Sequence, residues 1–343
     1  FEFIGGDLTL EDMKFTDNSD VYSKNYAAVV VMSTGAISDG YSLQLRVVLR
    51  NCEIRNNSFT SQGAFYIISR SLEIHNCKFI NNALNTSPVL VTDSYTDTVY
   101  HFILSSSEFD SNSSQSEVSD ITLSSSRELN KINFIVKSTT FKNSMSTGTV
   151  IKIQTGLIVT SGLIQGCLFE GAILYTSMAK GVLWQVNSSG VVRFVDNIVK
   201  NISSYYTYIL SVDVPDQASF TEVVNLQASS NGWACGITIN YLSTVKMSSS
   251  AFTANNSSLI CNIGGTFTDN SSSFVRNLGV IGTVYDTFSG GKGTFTSSKF
   301  MYNKASQSGG VASIMEPDTE LIFNKVVAVG NIASDKGGII YSK

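Results

Sequence analysis

Apolar and polar positions alternate along short stretches of this chain, and a fixed motif interrupts the alternation about once every 28 residues. In the segment 72–79, for example, Leu72, Ile74 and Phe79 are separated by polar residues. A period of two, enriched in aromatic and β-branched residues and bounded by Asn, Gly and Ser, is typical of short β-strands joined by turns. Helical periodicity is absent from almost every window, so we predict an all-β protein.

The motif is Phe-x-x-Asn, with Ile or Ala in place of Phe in some copies. We expect its first residue to point into the core and to stack on its equivalent one coil away, at the strand spacing of about 4.8 Å. The predicted inward stack contains Phe15, Ile54, Phe79, Phe109, Phe141, Phe169, Ile198, Phe252, Phe274 and Phe300. We expect the Asn at a turn, where its amide bonds the backbone and the same Asn of neighbouring coils. The predicted Asn ladder contains Asn18, Asn57, Asn82, Asn112, Asn201, Asn231, Asn255, Asn277, Asn303 and Asn331.

The length of the repeat selects the architecture. About 28 residues suits one coil of three short strands and three turns, whereas a propeller blade needs roughly 40 to 50 residues. Leucine-rich repeats need a Leu-x-x-Leu-x-Leu frame, which this chain lacks. We therefore predict a parallel β-helix of about twelve coils, right-handed because β-crossovers overwhelmingly are. The motif spans 1–343 with no linker, so we predict a single β-helix domain, which its repeat-like ends indicate to be a segment or mature part of a longer chain.

Composition narrows the choice of function. A hydrophobic content of 43% is enough to bury a core and argues against disorder. A net charge of −4 offers no basic surface for nucleic acid, which we exclude as a partner. No apolar run approaches the 18 or so residues of a membrane-spanning helix.

A second element accompanies the motif in the last coils. Six residues after Asn303 comes Gly-Gly-Val at 309–311, and six after Asn331 comes Gly-Gly-Ile at 337–339. Phe-x-x-Asn paired with Gly-Gly and an aliphatic residue resembles the polymorphic outer-membrane protein repeats of chlamydiae and related β-helix surface proteins of protists. The resemblance implies an extracellular, surface-exposed β-helix, a location often associated with adhesion.

Four of the five cysteines form candidate pairs. Cys52 and Cys77 occupy matching positions in adjacent coils, where strand spacing brings Cα atoms within the range of a disulfide. Cys235 and Cys261 lie one coil apart in registers that differ by about two residues and form a second candidate pair. The alternative for the first pair is an inward stack of free cysteines. The spacings do not suit zinc, and we predict neither metal nor cofactor.

Sequons of the form Asn-x-Ser/Thr occur at both ladder and turn positions. Ladder residues such as Asn112, Asn201 and Asn255 should have their amides occupied inside the stack. The predicted N-glycosylation sites of a secreted eukaryotic protein are therefore the turn residues Asn56, Asn85, Asn187, Asn256 and Asn270.

No catalytic signature emerges from the sequence. β-Helix enzymes that act on polysaccharides need paired carboxylates, or acidic ligands with a basic residue, on one face. The acidic residues here are scattered, and Asp213 with Asp216 fits a turn. We therefore predict a non-enzymatic extracellular scaffold of a cell surface or filament, assembling end to end. The alternatives are a surface adhesin or glycan-binding β-helix and, less favoured, a polysaccharide lyase or glycoside hydrolase. Expected partners are further copies or neighbouring β-helix segments, glycans, and host or cell-surface proteins.

Overall fold

The chain is an all-β parallel solenoid. The computed structural model describes residues 2–4, 7–19, 30–33, 46–59, 65–67, 71–84, 89–93, 99–114, 119–125, 130–144, 149–153, 157–171, 173–174, 181–186, 188–214 and 219–342. Within these ranges the chain forms strands and turns and no helix. Strands pair with the equivalent strands of the coils before and after, and the pairings are parallel. The prediction of an all-β parallel solenoid is confirmed.

Two sheets, which we call B and C, are regular and contain twelve strands each in the described residues. Sheet B consists of Leu8–Glu11, Arg46–Arg50, Ser71–His75, Tyr100–Ser105, Asn130–Lys137, Leu157–Gln165, Ser189–Val195, Phe220–Val224, Thr244–Ser248, Thr266–Asn270, Lys292–Thr296 and Glu320–Asn324. Sheet C consists of Lys14–Thr16, Glu53–Arg55, Lys78–Ile80, Glu108–Asp110, Thr140–Lys142, Leu168–Glu170, Ile198–Lys200, Gln227–Ser229, Ala251–Thr253, Ser273–Val275, Lys299–Met301 and Val327–Val329.

The remaining side of the solenoid is less regular. Sheet A consists of Glu2–Ile4, Val30–Ser33, Phe65–Ile67, Val89–Asp93, Ile121–Ser125, Ile151–Ile153, Ile173–Leu174, Leu183–Val186, Ser203–Asp213, Gly232–Ile239, Asn256–Ile263, Leu278–Ile281, Tyr285–Phe288, Lys304–Ser308, Ala312–Ile314, Ile332–Ala333 and Ile340–Ser342. A short sheet pairs Ser58–Phe59, Ala83–Leu84 and Ser113–Ser114.

The expectation of about twelve coils of about 28 residues overstates the regularity of the chain. The spacing between successive ladder residues varies from 39 residues, between Asn18 and Asn57, to 22 residues, between Asn255 and Asn277. Sheet C keeps strict register through this variation, and sheet B departs from it at the strand Leu157–Gln165, which is bulged against both of its neighbours. Among the described residues, strands of sheet A lengthen, as in Ser203–Asp213, or divide, as in Leu278–Ile281 and Tyr285–Phe288.

The inward stack runs along sheet C. Ring centroids of successive coils lie 4.5 to 5.3 Å apart in two runs, Phe79–Phe109–Phe141–Phe169 and Phe252–Phe274–Phe300. Phe15 pairs with Ile54, which pairs in turn with Phe79. Burying each such side chain contributes about 1.5–3 kcal/mol. Between the two runs of rings, the buried side chains of Val199 and Ala228 occupy the equivalent positions and continue the core along the solenoid.

One coil departs from the predicted phase of this stack. Ile198 is 39% exposed, and its neighbour Val199 is buried and pairs with Phe169 and Ala228. The inward residue of this coil is therefore Val199, and the prediction for Ile198 was wrong. The preceding buried turn residue, Asn197, fixes the phase, because the inward residue follows it by two positions just as Phe79 follows Cys77.

The Asn amides form two continuous ladders. In each, the Nδ2 group donates to Oδ1 of the next Asn at 2.8–3.0 Å, along Asn18–Asn57–Asn82–Asn112 and along Asn231–Asn255–Asn277–Asn303–Asn331. Asn201 lies outside both ladders. It is exposed with φ 54°, and the next residue, Ile202, takes the ladder position and donates its N–H to Asn231 Oδ1 at 2.8 Å. The prediction for Asn201 fails for the same shift of one residue that affects Ile198.

Substitutions of Asn255, which lies in a ladder, and of Asn201, which lies outside both ladders, test this assignment. Asn255 Nδ2 donates to Asn277 Oδ1 and the Ala228 carbonyl, while its Oδ1 accepts two N–H groups of Asn231. Asn255→Ala removes these bonds and leaves buried partners unsatisfied, so we expect a loss of about 3–5 kcal/mol in the free energy of unfolding. Asn201→Gly, which keeps the positive φ of this position accessible, is the control and should cost no more than about 0.5 kcal/mol. Equal losses in urea unfolding of the two variants would contradict the assignment.

Candidate functional site

Sheet A bends sharply in its later coils. The strand Asn256–Ile263 is continuous, but the next coil divides into Leu278–Ile281 and Tyr285–Phe288. The bend lies at Gly282, which has φ 57°. A Cβ atom at this position would lie 2.5 Å from the carbonyl oxygen of Tyr285, so only glycine fits the bend.

The Gly-Gly element of the sequence makes the same bend in the following coil. Gly309 has φ 69° and lies between the strands Lys304–Ser308 and Ala312–Ile314. Backbone hydrogen bonds join the two bends: Gly282 N–H donates to Ser308 O at 3.0 Å, and Thr283 N–H donates to Gly309 O at 3.2 Å. The bends are therefore stacked in register, and the surface beside them is concave over neighbouring coils.

A groove of about 830 Å³ lies beside this bend. Its walls come from three successive coils and include Asn256, Ser258, Leu278, Val280, Asp286 and Lys304. The Ser258 hydroxyl donates to the carbonyl of Ile281 at 3.0 Å and ties two of these coils together. Leu278 and Val280 are exposed. The groove thus combines apolar surface with a few polar groups, which is the usual make-up of a small-molecule or glycan site.

Asp286 is the acidic group of the groove. Its side chain is only 9% exposed, and its Oδ1 atom makes no hydrogen bond to any described residue. Burial raises the pKa of this carboxyl to about 7, with the Ser313 hydroxyl acting in the opposite direction. Near neutral pH the carboxyl is therefore divided between its two protonation states and can accept or donate a proton.

Lys304 is the basic group of the groove. It pairs in the sheet with Leu278, and its side chain is exposed. In the described part of the chain it belongs to no ion pair, unlike Lys142 and Lys200, which pair with glutamates on sheet C. Its positive charge is consequently available to an anionic ligand in the groove.

A second buried acid, Asp269, points into the core. It accepts hydrogen bonds from the hydroxyls of Ser272 and Ser298, both buried. Burial raises the pKa of Asp269 to about 6, opposed by these two hydroxyls. Because the carboxyl faces the interior, it offers no route to a ligand, and its effect is on stability.

The predicted glycosylation sites are dispersed over the surface. Asn56, Asn256 and Asn270 are exposed; Asn56 donates its amide to Asp17 Oδ1 at 3.1 Å, and Asn256 lies in the groove wall. Asn85 and Asn187 lie outside the described residues. Asn201, a sequon assigned to the ladder, is instead exposed, and its side chain bonds no described residue.

Of the two candidate cysteine pairs, one forms a disulfide and the other does not. Cys235 and Cys261 form a disulfide with a Cα–Cα distance of 6.2 Å, whereas Cys52 and Cys77 are free and buried. Cys52 and Cys77 occupy equivalent turn positions, where Cys52 N–H donates to Cys77 Sγ and both thiols donate to carbonyls two residues earlier. Side chains in equivalent positions of parallel coils run side by side, so the predicted Cys52–Cys77 disulfide was wrong, whereas the offset pair converges.

Asp286 and Lys304 were not among the residues selected from the sequence. The available signal was an acid in the otherwise uncharged strand Tyr285–Phe288, and it gave no indication of a partner in another coil. The described residues contain no group of three or more His, Cys, Asp or Glu side chains that would suit a metal ion. Among them, no helix is long and apolar enough to cross a membrane.

Comparison with known proteins adds one likeness. No family model and no curated protein matches the chain. A solved structure, that of the periplasmic alginate epimerase AlgG, is similar over 88% of this chain and 76% of its own chain, with 10% identity and a TM-score of 0.34. At that TM-score the likeness carries no argument about substrate or reaction.

The expectation of a non-enzymatic scaffold is nevertheless corrected. The lining of the groove contains both a buried carboxyl whose pKa is raised to about 7 and a lysine outside any described ion pair, which are groups that a proton transfer can use. We therefore withdraw two expectations from the sequence: that the protein lacks enzymatic activity, and that it is a scaffold assembling end to end. Membership of the Phe-x-x-Asn surface-protein family stays a prediction.

Replacing Asp269 should change how stability depends on pH. The folded protein holds a proton on Asp269 up to about pH 6, whereas the unfolded chain releases it near pH 4, so this residue lowers stability as pH rises through that window. We therefore expect the free energy of unfolding of Asp269→Asn, measured relative to that of the parent, to be about 2–3 kcal/mol higher at pH 7.5 than at pH 4. Urea unfolding at both pH values measures the difference. If variant and parent differ in their free energy of unfolding by the same amount at pH 4 and at pH 7.5, Asp269 does not have the raised pKa described above.

Proposed function

We propose that this protein binds a uronate-containing polysaccharide in the sheet A groove and transfers a proton to and from it through Asp286. The observation that carries the proposal is a carboxyl that is 9% exposed, lacks a hydrogen bond at Oδ1 to any described residue, and lines a groove of about 830 Å³. A buried carboxyl with a perturbed pKa in a cleft is a functional-site candidate on physical grounds.

The shape of the groove suits a chain of sugar rings. Its walls come from three coils, so it extends roughly 10 Å along the solenoid axis at the usual strand spacing. Leu278 and Val280 offer apolar contacts to ring faces, while Asn256 and Ser306 offer polar groups to ring hydroxyls. A polar polymer with apolar ring faces matches this mixture better than a purely apolar ligand does.

The charges select an acidic sugar. Lys304 is the cation of the described groove wall and stands in no described ion pair, so a ligand carboxylate can pair with it. A uronate also supplies the hydrogen that Asp286 would remove, on the carbon next to the carboxylate. Removal of that hydrogen places negative charge on the carboxylate, where a lysine stabilises it.

The proposed step is balanced without any further reactant. The C–H bond breaks, the Asp286 carboxylate takes the proton, and the electron pair spreads onto the sugar carboxylate, where the charge of Lys304 stabilises it. The intermediate then decays in one of two ways. Either a proton returns to the carbon, or the oxygen on the adjacent carbon leaves as the double bond forms and is protonated. Both outcomes need the same base and the same cation.

We place this activity outside the cytosol. The Cys235–Cys261 disulfide supports an oxidising compartment, because disulfides are rare in reducing ones. An extracellular location, right-handed winding and membership of the Phe-x-x-Asn family remain part of this proposal. They agree with the repeat pattern of the sequence.

Proton exchange into uronate polymers tests the proposed function. Polygalacturonate and polymannuronate are incubated with the protein in D₂O, and deuterium at the carbon next to the carboxylate and unsaturated sugar are both measured. Because Asp286 must be ionised to accept a proton, the rate should rise with pH and level off above about 7.

Variants assign the activity to the groove. Asp286→Asn should lower the rate by about 100-fold or more, and Lys304→Met by about 100-fold. Asp269→Asn, a buried acid outside the groove, is the matched control and should leave the rate unchanged. The parent protein at pH 5 gives a second inactive state that needs no substitution. Absence of both deuterium and unsaturated product at pH 8 would overturn the proposal.

A further inference from the structure

A second cleft lies at the corner where the sheet A strands end and the sheet B strands begin. It has a volume of about 500 Å³ and is lined from four coils by residues that include Tyr241, Gly264, Gly290, Lys292 and Asp318. Two of these, Gly290 and Lys292, belong to the same coil as Asp286. The cleft is thus a neighbour of the groove along the chain and around the solenoid.

The wall of the cleft holds an exposed aromatic ring. Tyr241 is 64% exposed and sits in a four-residue turn closed by a hydrogen bond from Ser243 N–H to Asn240 O at 3.0 Å. Gly264 of the next coil has φ 75°, and a Cβ atom there would lie 2.5 Å from Cδ2 of Tyr241. One edge of the ring therefore rests on glycine backbone, and much of the ring remains open to solvent.

The turn that carries this ring is held firmly. Leu242 adopts φ 62°, an uncommon conformation for a leucine, and donates its N–H to Gly264 O at 3.2 Å. Asn240 N–H donates to Val212 O of the preceding coil at 2.9 Å. Hydrogen bonds to the coils on both sides thus fix the backbone that carries the ring before any ligand arrives, so the turn loses little entropy on binding.

The polar groups of the cleft carry both signs of charge. Lys292 lies 4.0 Å from Glu320, with both side chains more than half exposed, and Asp318 lines the same cleft. Sugar hydroxyls both donate and accept hydrogen bonds, so they can use a cation and a carboxylate at once. A rigid exposed ring flanked by such a pair suits the face and the rim of a sugar ring.

The distance along the chain links the cleft to the groove. Asp286 and Gly290 are four residues apart; two of the four steps run along the strand Tyr285–Phe288 and two through the turn that follows, so the path is at most roughly 13 Å. A glycan held at Asp286 can therefore reach Tyr241 if it continues around the corner. We propose that the cleft is a distal subsite for the same polysaccharide, with Tyr241 as the ring on which one sugar stacks. This inference rests on the proposed function.

Binding measured as a function of ligand length tests the subsite. Calorimetric titration uses galacturonate oligosaccharides of increasing length, in an Asp286→Asn background that prevents turnover, with cello-oligosaccharides as the neutral control. Affinity should rise with length, and Tyr241→Ala should weaken the long oligosaccharides by about ten-fold while leaving the shortest unchanged. Tyr241→Phe keeps the ring and should retain the affinity.

Tyr302 provides the matched control. It is 56% exposed, and its ring also lies against a glycine, Gly330, but it does not line the described cleft. Tyr302→Ala should bind all lengths as the parent does. If Tyr241→Ala binds long oligosaccharides as tightly as Tyr302→Ala, the subsite is wrong while the groove proposal stands. If the parent background binds no galacturonate of any length, the proposed function fails and the subsite falls with it.

Discussion

The whole structure depends on how each coil satisfies the backbone groups at its turns. Before each ladder Asn the chain takes a positive φ, as at Asn81 with φ 53°, which turns the next side chain into the solenoid. Asn82 then donates to the Ile54 carbonyl at 3.0 Å and to Asn112 Oδ1 at 2.9 Å. A buried polar group left without these partners would cost about 1–3 kcal/mol. This corner therefore fixes the register of sheet C, and the described changes in strand length fall mainly on sheet A.

The groove lies on the side of the solenoid where the strands are least regular, which is sheet A. With sheets B and C held in register, the later coils place their irregularity in one stacked glycine bend, where Gly282 bonds the coil of Gly309. The bend gives sheet A a concave side, and the strand beyond it carries Asp286 into the groove wall. Burial in that wall raises the pKa of the carboxyl. A repeat that serves mainly to stack coils thereby also positions a proton-transfer group.

The sequence predicted the stack and the ladder because a buried Phe and a buried Asn have few substitutes at those positions. It failed at Ile198 and Asn201, where two adjacent apolar residues left the phase open and Asn197 was the unused signal. It could not reveal the groove, because Asp286 and Lys304 belong to different coils and only the strand register brings them to one surface. Nor could it show which cysteine pair forms the disulfide, because the direction of each cysteine side chain depends on the register of neighbouring strands.

Titration of the Asp286 carboxyl carbon by ¹³C NMR tests the central claim most directly, with the resonance assigned by comparison with Asp286→Asn. The account predicts a midpoint near pH 7 in the free protein. It also predicts a higher midpoint when galacturonate oligosaccharides are added, because a bound anion disfavours the carboxylate. A midpoint near pH 4, the ordinary value for aspartate, would show that the carboxyl is not buried in the groove wall and would contradict the account.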